Sequence, residues 1–311
     1  MKREKTRIKN NLSFVLGVRR SWQLYLLLLP AMVYLLIFHY VPLYGIQIAF
    51  RDYSPGLGFS ESPFVGLKHF IYFMKSPQFA TLIKNTVSLN VLRLVFCFPF
   101  PIFLALVLNE ASNARFQKLV QNLTYAPHFI STVVLCGMIV SFTSPSTGII
   151  NTFIQALGRK PIDFMGQESW FRPIYILSDM WKDTGWSSII YLAALAGIDL
   201  SLHEAAQIDG ASRLQRILYI NIPGISATII ILLIMEFGRM MSLGFEKVYL
   251  LQNSLNLPVS EVISTYVYKT GLLGAKFSYT TAIDVFNSII NCGLLLIVNK
   301  ISSRVGETSL F

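Results

Sequence analysis

A chain of 311 residues that is 53% hydrophobic and only 14% charged has too little polar surface for one or two water-soluble domains, and its composition places it in a membrane. The formal charge of +10 does not point to nucleic acid. Lys2, Arg3, Lys5, Arg7, Lys9, Arg19 and Arg20 crowd ahead of the first apolar stretch, the pattern that keeps an N-terminus in the cytoplasm, rather than alternating with aromatic residues. Cys97, Cys136 and Cys292 all lie in apolar runs, which excludes a disulfide scaffold and a thiolate metal site.

In chain order, residues 1–23 read as a basic cytoplasmic segment. The apolar run from Leu24 is about 25 residues long without a small-x-small cleavage site, so it reads as a retained span and not a signal peptide. A helix needs about 20 apolar residues to cross the hydrocarbon core. That rule predicts an all-α protein with six spans, near 24–49, 86–108, 119–143, 172–198, 223–244 and 279–299. The short connections and the tail carry Arg115, Lys118, Arg213, Arg216, Lys300 and Arg304, which puts them, and both termini, inside. The division that follows is a first helix with its external loop over 24–80, a core over 81–300, and a cytoplasmic tail over 301–311.

Turn-forming strings at Ser54-Pro55-Gly56-Leu57-Gly58 and Ser144-Pro145-Ser146-Thr147-Gly148 close the outer ends of spans. Phe98-Pro99-Phe100-Pro101 lies inside an apolar run and is expected to kink the second span, because two backbone donors are missing there.

Between the fourth and fifth spans, Ser201 with Glu204 and Ser212 with Gln215 fit the S-x-x-E/Q capping box. Asp209-Gly210 between them tolerates positive φ. The prediction is a short helix, a turn, and a second helix running to Pro223, all at the membrane surface. Ala205 and Ala206 give the first helix a small-residue face, and Glu204, Arg213 and Arg216 supply charge. An ordinary solvated loop fits the same chemistry. A DNA-binding helix-turn-helix does not, because so short a unit has no supporting core.

Glu204-Ala205-Ala206, then Asp209-Gly210-Ala211, then Ile220-Asn221-Ile222-Pro223 resembles the EAA loop, about 199–223 here, of type I ABC importer permeases. Phe38-His39-Tyr40-Val41-Pro42-Leu43-Tyr44-Gly45, Phe64-Val65-Gly66-Leu67-Lys68-His69-Phe70, Tyr125-Ala126-Pro127-His128-Phe129-Ile130-Ser131 and Thr265-Tyr266-Val267-Tyr268 look like the carbohydrate-uptake branch, in particular permeases for complex oligosaccharides. The resemblance implies the type I permease fold in a bacterial cell membrane. It also implies a second, related permease subunit, two copies of a cytoplasmic ABC ATPase seated on the loop, and an extracytoplasmic solute-binding protein. On this resemblance Glu204, Ala205, Ala206, Asp209, Gly210, Ala211, Arg213, Arg216 and Pro223 couple the chain to the ATPase.

No Gly-Lys-Ser/Thr string for a P-loop occurs. ATP and magnesium are therefore expected on the partner ATPase and no cofactor on this chain. His203-Glu204-Ala205-Ala206-Gln207 starts like the zinc motif H-E-x-x-H, but glutamine replaces the second ligand, so neither a metal site nor a metalloprotease is expected. No G-x-S-x-G elbow is present. An importer permease for another polar solute is one alternative; a passive multi-subunit channel is the competing class, and it needs no coupling helix.

Ionisable groups within spans face protein or water. Glu236 and Arg239, three apart in the fifth span, are expected to share a helical face and to pair. Asp284, Asn287 and Asn291 form a polar stripe on the sixth. In the fourth, Asp179, Lys182 and Asp183 gather with Trp181 and Trp186, a set suited to sugar hydroxyls and pyranose faces. Each is a candidate for the solute path, with a structural ion pair, a helix–helix hydrogen bond or, for tryptophan, a membrane anchor as the alternative. Arg93 in the second span is open to the same readings.

Overall fold

The computed structural model describes residues 21–111 and 113–305. The basic positions up to Arg20 and the tail from 306 lie outside them. All regular structure among the described residues is helical, apart from one isolated bridge between Arg51 and Phe64. These residues form two compact units, 21–67 and 68–305.

The first unit is dominated by α1 (Trp22–Phe50), 29 residues whose most apolar stretch has no buried residue. Apolar side chains on every side, with Leu27 78% exposed, mark a helix solvated by lipid or another protein. Its interior Pro42 follows a π-turn at Leu36–Tyr40, which widens the coil where the proline ring would strike the preceding carbonyls. Beyond it the Ser54–Gly58 turn closes a small loop. Asp52 N–H donates to Pro63 O at 2.9 Å and Val65 N–H to Phe50 O at 2.8 Å.

In the second unit, α2 (Lys68–Met74) precedes α3 (Gln78–Asn109), a 32-residue helix about 48 Å long at 1.5 Å per residue. The expected kink at Pro99 and Pro101 is not a break. A π-turn at Arg93–Cys97, with Phe98 N–H reaching Arg93 O at 3.2 Å, absorbs the prolines, and helix continues through them.

The third predicted span, 119–143, is not one rod. It consists of α4 (Ala114–Phe129) and α5 (Thr132–Thr143), which meet at 97°. Pro127 removes a donor, a 3-10 turn follows, and Ser131 restarts the chain as the cap of α5, its Oγ accepting from Val134 N–H at 3.3 Å. After α6 (Ile149–Ala156) comes α7 (Glu168–Ala196), 29 residues. It bends by 74° into α8 (Leu200–Ile208). Then α9 (Arg213–Gly224) meets α10 (Ser226–Phe237) at 61°.

The fifth predicted span, 223–244, stops early: α10 ends at Phe237 and residues 238–244 are turns and coil. The chain continues as α11 (Phe245–Leu251), α12 (Ile263–Val267, prolonged by a π-turn at Tyr268–Leu273) and α13 (Phe277–Val305). Among the described residues three helices, α1, α3 and α13, are each long and apolar enough to cross a membrane, and counting each of the three bent pairs as a span raises the number to six.

Packing in this unit converges on α7. Leu89, Phe171, Tyr175, Val248 and Val262 form a core joining α3, α7 and α11 at one end. Ala105, Leu106, Tyr191, Leu195 and Ile225 join α3, α7 and the start of α10 at the other. Gly185 lets α4 lie against α7, since a Cβ there would stand 2.1 Å from Thr124 O.

Candidate functional site

Between these two cores α3, α7 and α10 leave a cavity of about 420 Å³, lined by Arg93, Cys97, Asp179, Asp183, Trp186 and Glu236 among others. Residues 179, 183 and 186 follow the i, i+4, i+7 rhythm that puts them on one face of α7. Asp179 is the buried centre. Its carboxylate takes the Arg93 Nε at 3.1 Å on one oxygen and the Lys247 ammonium on the other. Lys247 also donates to Tyr175 O at 2.8 Å and lies 4.4 Å from the centre of the Tyr175 ring. One carboxylate thus ties α3, α7 and α11 together, and the trio carries a net charge of +1. Glu236 of α10 lines the same cavity and, with Arg93, a smaller adjoining pocket.

Further along the same wall, Trp186 stacks on His128, with ring centroids 4.6 Å apart and planes within 2°. Phe129 meets Trp186 edge-on at 5.6 Å. His128 Nδ1 lies 2.9 Å from Asp183 Oδ1, so the 3-10 turn that breaks the third span supplies the ring backing Trp186. The cavity therefore offers carboxylate acceptors, a guanidinium donor and a half-exposed indole, an inventory that matches hydroxyl-rich rings.

The other sequence candidates sit elsewhere. Trp181 is 50% exposed and does not line this cavity. Arg239 falls in the turn after α10. Its backbone N–H donates to Glu236 O at 3.1 Å, and no ion pair joins the two side chains among the described residues, because helix stops before Gly238. Asn291 is engaged with that turn: its Oδ1 accepts Met241 N–H at 2.8 Å and its Nδ2 donates to Ser242 Oγ at 2.8 Å. Asn287 has a buried Oδ1 without a hydrogen-bond partner, and Asp284 is exposed on α13.

The loop over 199–223 folds from local chemistry. α8 begins two residues earlier than the Ser201–Glu204 box implies, because Asp199 is the cap and accepts Ser201 N–H at 2.9 Å. That bond holds the Asp199 carboxyl below its usual range. α8 ends in a Schellman closure: Ala211 N–H reaches Ala206 O at 2.8 Å, Gly210 N–H reaches Gln207 O at 3.1 Å, and Gly210 has φ +75°. The second capping box is present in full between Ser212 and Gln215. Glu204 and Ala205 are exposed, and Ala206 half-buried. Around them Leu200, Leu202, Ile208, Leu214 and Tyr219 are exposed as well, Ile208 by 86%. An apolar patch of this kind on a surface loop marks a site of protein contact.

Two functional groups had little or no signal in the sequence. Lys247 stands 68 positions from Asp179. Glu110, at the end of α3, pairs with Arg216 at 3.0 Å from 106 positions away.

A polytopic helical protein with a polar cavity among its spans and a capped helix pair at its surface belongs to the class of membrane permeases. Residues 98–305 match the family model described as "binding-protein-dependent transport system inner membrane component", and the chain belongs to that family as a permease subunit of an ABC importer. It is 46% identical over 288 residues, 93% of this chain and 90% of the other, to the polygalacturonan/rhamnogalacturonan transport system permease protein YteP of Bacillus subtilis. It is 42% identical over 300 residues, 96% and 94% of the two chains, to Protein LplB of the same organism. It is also similar to a chain in the crystal structure of a bacterial ABC transporter that imports the acidic polysaccharide alginate, with a TM-score of 0.87 and 41% identity over 94% of this chain and 99% of that one. A second structure of the alginate transporter, in complex with an alginate pentasaccharide-bound periplasmic protein, matches with the same TM-score and identity.

Proposed function

We propose that this chain moves an oligosaccharide into the cytoplasm by alternating access driven by separate ATPase subunits. The observation that carries the reading is the continuity of α7 with α8, by which one helix lines the cavity and leads directly into the exposed, capped loop. A force applied to Glu204, Ala205 and Ala206 therefore acts on the wall that carries Asp179, Asp183 and Trp186. A passive channel has no use for such a linkage.

In this reading the six segments all cross the membrane of a bacterial cell, both termini face the cytoplasm, and residues 81–300 form the permease core. Two ABC ATPases bind ATP and magnesium and seat on the loop through Leu202, Ile208 and the alanine face. A related second permease completes the passage, and an extracytoplasmic binding protein delivers the sugar. Arg93, Asp183, Trp186 and Glu236 contact it, while Asp179 fixes the cations. Asp284, charged and exposed on a spanning helix, faces protein or water in the assembly. The relatives that handle polygalacturonan and alginate support an oligosaccharide, and the acceptor-rich cavity with its indole suits one.

The test is reconstitution of the complex in liposomes with ATPase, second permease and binding protein. Galacturonate or alginate oligosaccharides are expected to stimulate ATP hydrolysis and to accumulate inside. Stimulation by amino acids instead, or uptake without nucleotide, would remove the reading.

A further inference from the structure

The two walls of the cavity do not reach the coupling loop in the same way. The α7 wall continues covalently into α8, whereas the α3 wall, which carries Arg93 and Cys97, ends at Asn109 with no chain connection to α9. Glu110 bridges that gap. Its Oε2 takes Arg216 Nη2 at 3.0 Å and its Oε1 takes Asn221 Nδ2 at 3.2 Å. The pair is shielded, with the Arg216 and Glu110 side chains 14% and 13% exposed, and Asn221 is fully buried. Arg216 and Asn221 flank and close the π-turn Ile217–Asn221, so one carboxylate clasps both ends of a wound defect in the second helix of the loop. A carboxylate at a helix C-terminus opposes the helix dipole, so its placement at the end of α3 is not explained by helix stability. The cluster is also incompletely satisfied: Arg216 Nε and Asn221 Oδ1 are buried without a hydrogen-bond partner. π-turns recur at functional sites, and buried polar atoms left without a partner call for a reason other than static stability.

We propose that Glu110 is a positioning residue that carries displacement of the loop to the Arg93 wall, so that α3 and α7 move together when nucleotide binds. This rests on the loop being the seat of the ATPases. Cys97 lines the cavity at the C-terminal end of the α3 π-turn and serves as reporter, with Cys136→Ser and Cys292→Ser as the background. In the assembled complex, the rate at which a small charged methanethiosulfonate reagent labels Cys97 is compared with and without ATP plus vanadate.

The expected result is at least a fivefold nucleotide-dependent change in the parent. In Glu110→Gln it falls below twofold while the complex remains assembled and hydrolyses ATP, and the swap Glu110→Arg with Arg216→Glu restores most of it. An unchanged nucleotide response in Glu110→Gln overturns the proposal, as does a loss of assembly that the swap does not repair. A parent whose labelling ignores nucleotide overturns instead the reading of the loop on which the proposal stands.

Discussion

The cavity and the loop over 199–223 are built by opposite means. At the cavity, order comes from side chains far apart in sequence, with Asp179 holding Arg93 and Lys247 across three helices. In the loop, order comes from bonds spanning two to five residues: the Asp199 cap, the Ser212–Gln215 box and the turn at Gly210. The contrast fits the tasks proposed for them, since a passage through lipid must satisfy every charge internally, while a docking element needs a rigid shape that water already solvates. It also predicts that substitutions in the first region damage the whole unit and those in the second damage one contact surface.

The strongest test is Asp179→Ala, which leaves the buried Lys247 ammonium without its counter-ion and the part-exposed Arg93 without its partner and is expected to cost about 3 kcal/mol, read as a large drop in the thermal unfolding midpoint of the purified complex in detergent. An unchanged midpoint would mean that the trio is solvated and the cavity wetter than its burial implies. Gly185→Ala comes next, since the added Cβ meets backbone at 2.1 Å and separating α4 from α7 should cost about 1–3 kcal/mol. The same unfolding midpoint reads this loss.

In the loop, Gly210→Val forces a branched side chain into φ +75° at about 1–2 kcal/mol. The expected outcome is weaker ATPase co-purification with the midpoint of the permease nearly unmoved, and a collapse of both together would erase the contrast. The smallest effect concerns Asp199. Its folded carboxyl lies below the ordinary value of 3.8 because it accepts the Ser201 N–H. Its contribution is thus fully present above that ordinary value and is lost as pH falls through the lower, folded one. The protection of the Ser201 amide against hydrogen exchange, relative to its intrinsic rate at each pH, should fall in that acid window, and Asp199→Ala should remove the pH dependence of that protection.

The same contrast explains what could be read in advance. Gly210 and Ser212 announce a turn and a helix start because their partners are neighbours in sequence. Ser201 misled only because Asp199, an equally good cap two residues earlier, won the position. Asp179 and Trp186 were visible as polar and aromatic interruptions of an apolar run, but nothing near Lys247 or Glu110 says which residue each will meet. The pairing expected of Glu236 with Arg239 assumed continuous helix, and α10 stops at Phe237. The break in the third predicted span likewise follows from Pro127 and Ser131, residues that hydropathy alone does not weigh.

The π-turns have a consequence for how the sequence can vary. Each is a helix carrying one residue more than the regular coil needs, inserted without rotating the segments on either side. Removing a single residue within Arg93–Cys97 or Ile217–Asn221 would therefore leave a regular helix whose flanking faces still point as they do here, whereas the same deletion elsewhere in α3 would turn every later side chain by about 100°. Shortening by one residue is thus tolerated best at the π-turns, and two of them lie in α3, which lines the cavity, and in α9, the second helix of the loop.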